Sequence, residues 1–208
     1  MARVLSSVQK QLEQGISILK EGGIVAFPTD TVYGLGAAVN IPQAVARVYQ
    51  VKGRPKNMPL PLLLADKSQI GEVADPVPPI AWLLAEKFLP GGLTIVLFKS
   101  RAVPDIVTGG GKTVAIRIPA HPVPVALIQG VGAPIVGTSA NLSGKPSALT
   151  SEEVYNQLNN KVDLIIDGGR CPGGRESTIV DLTGEAPVIL REGAISKEEL
   201  ESAYRHWR

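Results

Sequence analysis

Residues 24–39 read IVAFPTDTVYGLGAAV. Ile24–Phe27 is a short apolar run, Pro28-Thr29-Asp30-Thr31 breaks it, and Val32–Val39 resumes it with Gly34 and Gly36 inside. Two apolar segments joined by a polar, proline-led break predict adjacent, hairpin-like strands with the polar residues at a strand end. The same adjacency recurs at residues 178–190, where Thr178–Leu182 and Val188–Leu190 read as strands. Hairpins of this kind argue for a mixed sheet rather than a purely parallel one.

The flanking segments supply the helices. Val8, Leu12, Ile16 and Leu19 follow a helical spacing over Ser7–Glu21, which ends at Gly22-Gly23. Pro42 stands at a first-turn position and opens a helix over Gln43–Val51. Further helices are predicted over Pro79–Leu89, Pro124–Gly130 and Ser151 to about Asn159. Ser196 and Glu199 make a capping-box pattern for a last helix that runs into a partly packed tail of Tyr204, His206 and Trp207. Strands are predicted at Leu60–Ala65, Leu93–Phe98, Val114–Ile118, Pro134–Gly137 and Leu164–Ile166. Strands and helices alternate without repeats or linkers. The expected architecture is a mixed α/β (α+β) fold, with a twisted, mixed parallel and antiparallel central sheet and helices on both faces, as a single domain over 1–208.

Composition narrows the function classes. With 44% hydrophobic and 19% charged residues among 208, a folded core is expected and disorder is not. The single cysteine, Cys171, rules out an intrachain disulfide or a cysteine-based zinc site, and with no base beside it reads as an inert loop residue. The uncharged stretch Ile118–Gly144 is interrupted by Pro119, Pro122, Pro124 and Pro134, so it reads as core and not as a membrane span. The N-terminus lacks the apolar core of a signal peptide, and a cytoplasmic protein is expected. Net charge is +2, but residues 31–65 and 106–151 contain no acid. If those two stretches meet, they form a positive concavity suited to phosphates or RNA.

Several motifs mislead. Gly109-Gly110-Gly111-Lys112-Thr113 resembles the end of a phosphate-binding loop, but Ile106 stands where the first glycine belongs and a strand, not a helix, follows. Gly34-Leu35-Gly36 lacks the third glycine of a dinucleotide fingerprint, since Val39 is there. Neither His121 nor His206 has a partner at metal-ligand spacing, so no protein-held metal is expected.

What remains is a set of polar segments at predicted element ends. Each has a plain structural reading. Lys52 and Arg54 can be a solvated helix end. Ser139 and Asn141 can be turn formers. Arg117 interrupts an apolar strand and needs an anionic partner, from within the protein or from a ligand.

Taken in order, the segments PTDTVYGLG, KGRP, a strand ending in RIP, SANLSG, STIVDL and LREG resemble the threonylcarbamoyl-AMP synthase (YrdC-like) family over about Gly22 to Ile195. The resemblance implies a YrdC-like fold and an enzyme that makes threonylcarbamoyl-AMP and pyrophosphate from threonine, bicarbonate or CO2, and ATP. Other proteins then transfer the group to tRNA. It implies that Lys52 and Arg54 hold the triphosphate and carry the chemistry. Thr113, Ser139, Asn141, Ser147 and Arg191 would line the nucleotide side. Thr31, Arg117 and Ser177 would contact threonine, and Mg2+ would accompany ATP. Such chemistry needs cations and fixed donors more than a proton shuttle.

The chain departs from relatives at Leu63, where some carry a threonine-contacting histidine, at Thr138, where proline is frequent, and at Met58, where polar residues are common. Two rivals stand beside this reading: a non-catalytic protein of the same fold that binds double-stranded RNA or tRNA, and an enzyme that adenylates a different amine or carbamoyl donor. The Pro/Gly-rich loop Asp167–Glu176 reads as a surface loop or a lid.

Overall fold

Leu62 and Leu63 point to opposite sides of one sheet, and the whole architecture follows from that alternation. Leu62 belongs to the larger apolar cluster and Leu63 to the smaller. The computed structural model describes residues 2–158 and 161–205. Its strands are β1 (Val25–Phe27), β2 (Gly34–Ala38), β3 (Leu62–Leu63), β4 (Leu93–Phe98), β5 (Thr113–Arg117), β6 (Ile135–Ser139), β7 (Leu164–Ile165), β8 (Thr178–Asp181) and β9 (Val188–Arg191). Its helices are α1 (Ala2–Lys20), α2 (Pro42–Lys52), α3 (Ile70–Val73), α4 (Pro79–Phe88), α5 (Asp105–Thr108), α6 (Pro122–Val131), α7 (Ser151–Leu158) and α8 (Lys197–Tyr204).

Among the described residues the strands form one nine-stranded sheet in the order β7-β1-β2-β6-β3-β5-β4-β8-β9. The pairs β1–β7, β3–β5 and β4–β8 are parallel and the others antiparallel, so the mixed sheet is as expected. Both predicted hairpin neighbours, β1–β2 and β8–β9, pair antiparallel.

Helices lie on both faces. On one side Leu35, Leu62, Ile95 and Ile116 pack against Val45 and Val48 of α2, Leu84 of α4, Val154 of α7 and Leu200 of α8. On the other, Val25, Phe27, Leu63 and Ile135 pack under Leu12, Ile16 and Leu19 of α1 and Leu127 and Ile128 of α6. These two helices cover only the β1 end of their face. The remainder, over β5, β4 and β8, is left as a concave floor.

Local rules explain the helix ends. Pro42, Pro79 and Pro122 stand in the first turns of α2, α4 and α6, where no N–H is needed. Ser196 accepts from the Glu199 N–H at 3.2 Å, as the capping pattern predicts. Gly53 ends α2 in the left-handed region at φ 60°, where a side chain would be strained. The short helices α3 and α5 were not predicted; each is only four residues long, too short for a periodic signal. Asn159, His206 and Trp207 lie outside the described residues.

Gly36 is set by the packing of Phe27. A Cβ at Gly36 would lie 2.8 Å from Phe27 Cε1 and 3.1 Å from the Val136 carbonyl oxygen. The aromatic ring therefore lies against bare backbone on β2. Gly36→Val should lower unfolding stability by about 1–3 kcal/mol through overpacking, read from urea denaturation midpoints. Phe27→Leu in the same background should recover part of that loss, whereas a loss unchanged by Phe27→Leu would place the conflict elsewhere.

Candidate functional site

Alternation makes the floor. Thr94 and Val96 of β4, Ala115 and Arg117 of β5, Gly137 and Ser139 of β6, and Ile179 of β8 face the same side and line a cavity of about 570 Å³. Its walls come from the strand-end segments. The turn after β1 brings Thr29 and Thr31, the end of α2 brings Lys52 and Arg54, and the segments before β8 and ending β9 bring Ser177 and Arg191. The two acid-free stretches thus meet in space, the first through Lys52 and Arg54 and the second through Arg117 and Lys145.

The turn after α2 positions its cations. The Gly53 N–H bonds the Gln50 carbonyl at 3.1 Å and the Arg54 N–H bonds the Tyr49 carbonyl at 2.9 Å, which caps the helix and turns the chain into the cavity. Lys52 is only 3% exposed, so it is not a solvated helix end. Its ammonium donates to the backbone carbonyls of Ser139 and Asn141 and to Asn141 Oδ1. Burial, reinforced by Arg54 and opposed by Glu176, brings its pKa down to about 8. Arg54 curls over the following loop, donating to the Pro59 carbonyl at 2.9 Å and the Met58 carbonyl at 3.3 Å.

Arg117 is buried at the end of β5 and has an internal anion. It donates to Asp30 Oδ1 at 2.7 Å, to Thr31 Oγ1 at 2.8 Å and to the Gly91 carbonyl at 3.0 Å. Those three bonds leave two of its five N–H groups for a ligand. Asp30 also accepts from the Ala120 N–H at 3.1 Å, so the proline-led turn and the end of β5 are tied through one carboxylate. Thr94 and Ser177 share a hydrogen bond at 2.7 Å beside it.

Arg191 pairs with Glu176 and donates to the Ser177 carbonyl at 2.9 Å. Glu176 in turn accepts from Ser147 Oγ at 2.7 Å. Burial works against the Glu176 carboxylate, but the Ser147 bond, Arg191, Ser139 and Lys52 together hold it below the usual carboxylate range.

Of the residues singled out in the sequence, Thr31, Lys52, Arg54, Arg117, Ser139, Asn141, Ser177 and Arg191 line this one cavity. Ser147 reaches it through Glu176. Thr113 does not line it; Thr113 sits at the far end of β5, one strand period beyond Ala115. Leu63 does line it, against the bare backbone of Gly137.

Sequence reasoning gave no role to Asp30 or Glu176, the internal partners of two of the cations. The signal available was their position: each is an acid inside or directly beside a polar strand-end motif. The Asp167–Glu176 loop is pinned at several points. Tyr33 Oη donates to the Gly169 carbonyl at 2.8 Å, the Cys171 N–H bonds Leu149 and the Gly174 N–H bonds Thr31. Cys171 is buried, and burial pushes its thiol pKa up, away from the reactive thiolate.

Known proteins are similar to this chain in sequence and fold. The Bacillus subtilis threonylcarbamoyl-AMP synthase is 45% identical over 199 residues, covering 95% of this chain and 58% of its own length. The chain thus spans little more than half of that relative. The crystal structure of Pyrococcus abyssi Sua5 complexed with L-threonine superposes with a TM-score of 0.90 at 44% identity, over 92% of this chain and 56% of that one. The Escherichia coli YciO structure superposes with a TM-score of 0.81 at 31% identity, over 89% and 90% of the two chains. A family model for Sua5, YciO and YrdC, described as telomere recombination, matches residues 17–193. With six motifs in order on the matching fold, the chain belongs to the Sua5/YciO/YrdC family.

Proposed function

We propose that this chain joins threonine, bicarbonate or CO2, and ATP into threonylcarbamoyl-AMP and pyrophosphate, the activated precursor of a tRNA modification. One observation carries the reading: cations from residues 52, 54, 117 and 191 line a single cavity together with the hydroxyls of Thr31, Ser139 and Ser177. The threonine complex of the P. abyssi relative and the activity named for the B. subtilis relative support it.

The chemistry asks for little proton shuttling. The threonine ammonium loses a proton to solvent, the neutral amine adds to CO2 and gives a second proton to solvent as the carbamate forms, and a carbamate oxygen attacks the α-phosphorus in line with the departing pyrophosphate. The difficulty is holding carboxylate, carbamate and triphosphate together, and fixed cations in a partly dry hollow do that. Lys52 and Arg54 would hold the triphosphate, with Ser139, Asn141, Ser147 and Arg191 beside them. Arg117, with two N–H groups left over, would take the threonine carboxylate as a planar fork, between Thr31 and Ser177. A role for Thr113 would need a nucleotide that extends past Ala115.

One carboxylate, Glu176, lines the cavity, and Arg191 and Ser147 already occupy it. Among the described residues no cluster of three metal-binding side chains occurs. This donor set fits Mg2+ that arrives on the nucleotide with phosphate and water ligands, not a protein cage. Bound there, Mg2+ would neutralise phosphate charge.

The product would pass to tRNA threonylcarbamoyl-transferring proteins, in the cytoplasm where tRNA is modified. No described helix is long and apolar enough to cross a membrane.

Incubating the protein with ATP and bicarbonate should release pyrophosphate when threonine is added. Serine should work more slowly, since one methyl contributes about 1–3 kcal/mol, and valine should not support release. Arg117→Lys should raise the threonine KM about ten- to a hundredfold with ATP binding kept. Turnover of valine equal to that of threonine would overturn this account. So would pyrophosphate release indifferent to any amino acid, and salt-sensitive tRNA binding in its place would favour the RNA-binding alternative.

The Lys52 ammonium sets a pH dependence. Its pKa lies near 8 in the free protein, and a bound phosphate favours its charged form. Nucleotide affinity should therefore be flat below that pH and fall by up to about tenfold per unit above it. Calorimetry at pH 8 in buffers of different ionisation enthalpy should show proton uptake on ATP binding. Lys52→Met should abolish that uptake; uptake that persists in this variant would assign it to another group.

A further inference from the structure

The groups assigned to the phosphates already surround an anion, and it belongs to the protein. Five cations line the main cavity, Lys52, Arg54, Arg117, Lys145 and Arg191, against one carboxylate, Glu176. Glu176 lies where four of the expected nucleotide contacts converge. Ser147 Oγ donates to Oε1 at 2.7 Å, Arg191 pairs with Oε2, and Ser139 and Lys52 act on it from the β6 side. A carboxylate held by a guanidinium and hydroxyls reproduces the way one phosphate edge would be held.

We infer that Glu176 is an internal stand-in for phosphate, occupying the anion site itself and setting the threshold that an incoming ligand must exceed. This rests on the nucleotide reading of the cavity given above.

The energetic logic is one of exchange. Without an anion, Arg191 would face Arg54 and Arg117, and Lys52 would face Arg54, uncompensated across a partly desolvated hollow. Glu176 offsets that repulsion. A ligand must release Arg191 from Glu176 before gaining it, so a sparsely charged anion replaces one pair with another and gains little. A polyphosphate reaches Lys52 and Arg54 as well, and its additional contacts exceed the loss. Bicarbonate, which must be present with ATP, is thereby kept off the phosphate site.

The displaced carboxylate also has somewhere to go. A second, open cavity of about 400 Å³ adjoins the first, lined by Arg175, Glu176, Arg191, Glu192 and Gly193. Glu176 and Arg191 are common to both cavities. A rotation of Glu176 toward Arg175 would keep it paired while it vacates the phosphate site.

The test uses metal-free inorganic tripolyphosphate and sulfate, titrated calorimetrically into wild type, Glu176→Gln and Glu176→Asp. If Glu176 is the stand-in, Glu176→Gln should bind both anions about five- to tenfold tighter, which brings sulfate into the measurable range. Glu176→Asp keeps the charge but cannot span Ser147 and Arg191 together, and should fall between. Thermal melts give an independent reading: without ligand Glu176→Gln should melt below wild type, and tripolyphosphate should raise its Tm by more than it raises that of wild type.

Unchanged or weaker tripolyphosphate binding in Glu176→Gln, with wild type binding normally, would overturn the stand-in while leaving the nucleotide cavity intact. Absence of tripolyphosphate binding in wild type would overturn both the stand-in and the nucleotide reading.

Discussion

Like charges gathered in one hollow repel one another, and the way each is held decides what the hollow can bind. Two unit charges 4 Å apart interact by about 4 kcal/mol at an effective dielectric near 20, so this gathering needs explicit support. The protein supports its cations in two ways. Lys52 is held by carbonyl groups of Ser139 and Asn141, which satisfy its donors without cancelling its charge. Arg117 and Arg191 are held by carboxylates, Asp30 and Glu176. Lys52 thus has only carbonyl oxygens as hydrogen-bond partners, and burial brings its pKa down to about 8.

The sheet makes this gathering possible by sorting residues with a period of two. Ile116 enters the core, and its neighbour Arg117 faces the cavity. Ile95 enters the core, and Thr94 and Val96 face the cavity. Each floor strand is therefore anchored by residues that never touch the site, so the floor is rigid while the walls are made of turns. Covering the β1 end of that face with α1 and α6, and no more, separates scaffold from site on a single surface.

Much of this was legible in the sequence because it is local. Strand and helix positions follow from periodicity, and helix starts from proline and serine. The boundaries shift where tertiary contacts decide them. Leu60–Ala65 reads as a six-residue strand, yet only Leu62 and Leu63 pair, between β5 and β6. The site was legible as a set of motifs in order, since Lys52, Arg54, Arg117 and Arg191 lie in segments at the ends of predicted strands or helices. Its internal anions were not. Asp30 and Arg117 lie 87 residues apart, and no spacing rule links them. Thr113, a nucleotide contact only by the family resemblance, lies at the start of β5 and does not line the cavity.

The one described histidine closes the chemical case. His121 Nδ1 accepts from the Val123 N–H at 3.2 Å and caps α6, so one ring nitrogen is committed to the fold. It does not line the cavity, and neither does the buried thiol of Cys171. Among the residues that do, Lys52 gives its three donors to carbonyl oxygens of Ser139 and Asn141, while burial brings its pKa down to about 8. A site so equipped can hold several anions in contact. Reactions whose barrier is mainly the mutual repulsion of their substrates are those such a hollow accelerates, and joining a carbamate to a triphosphate is one of them.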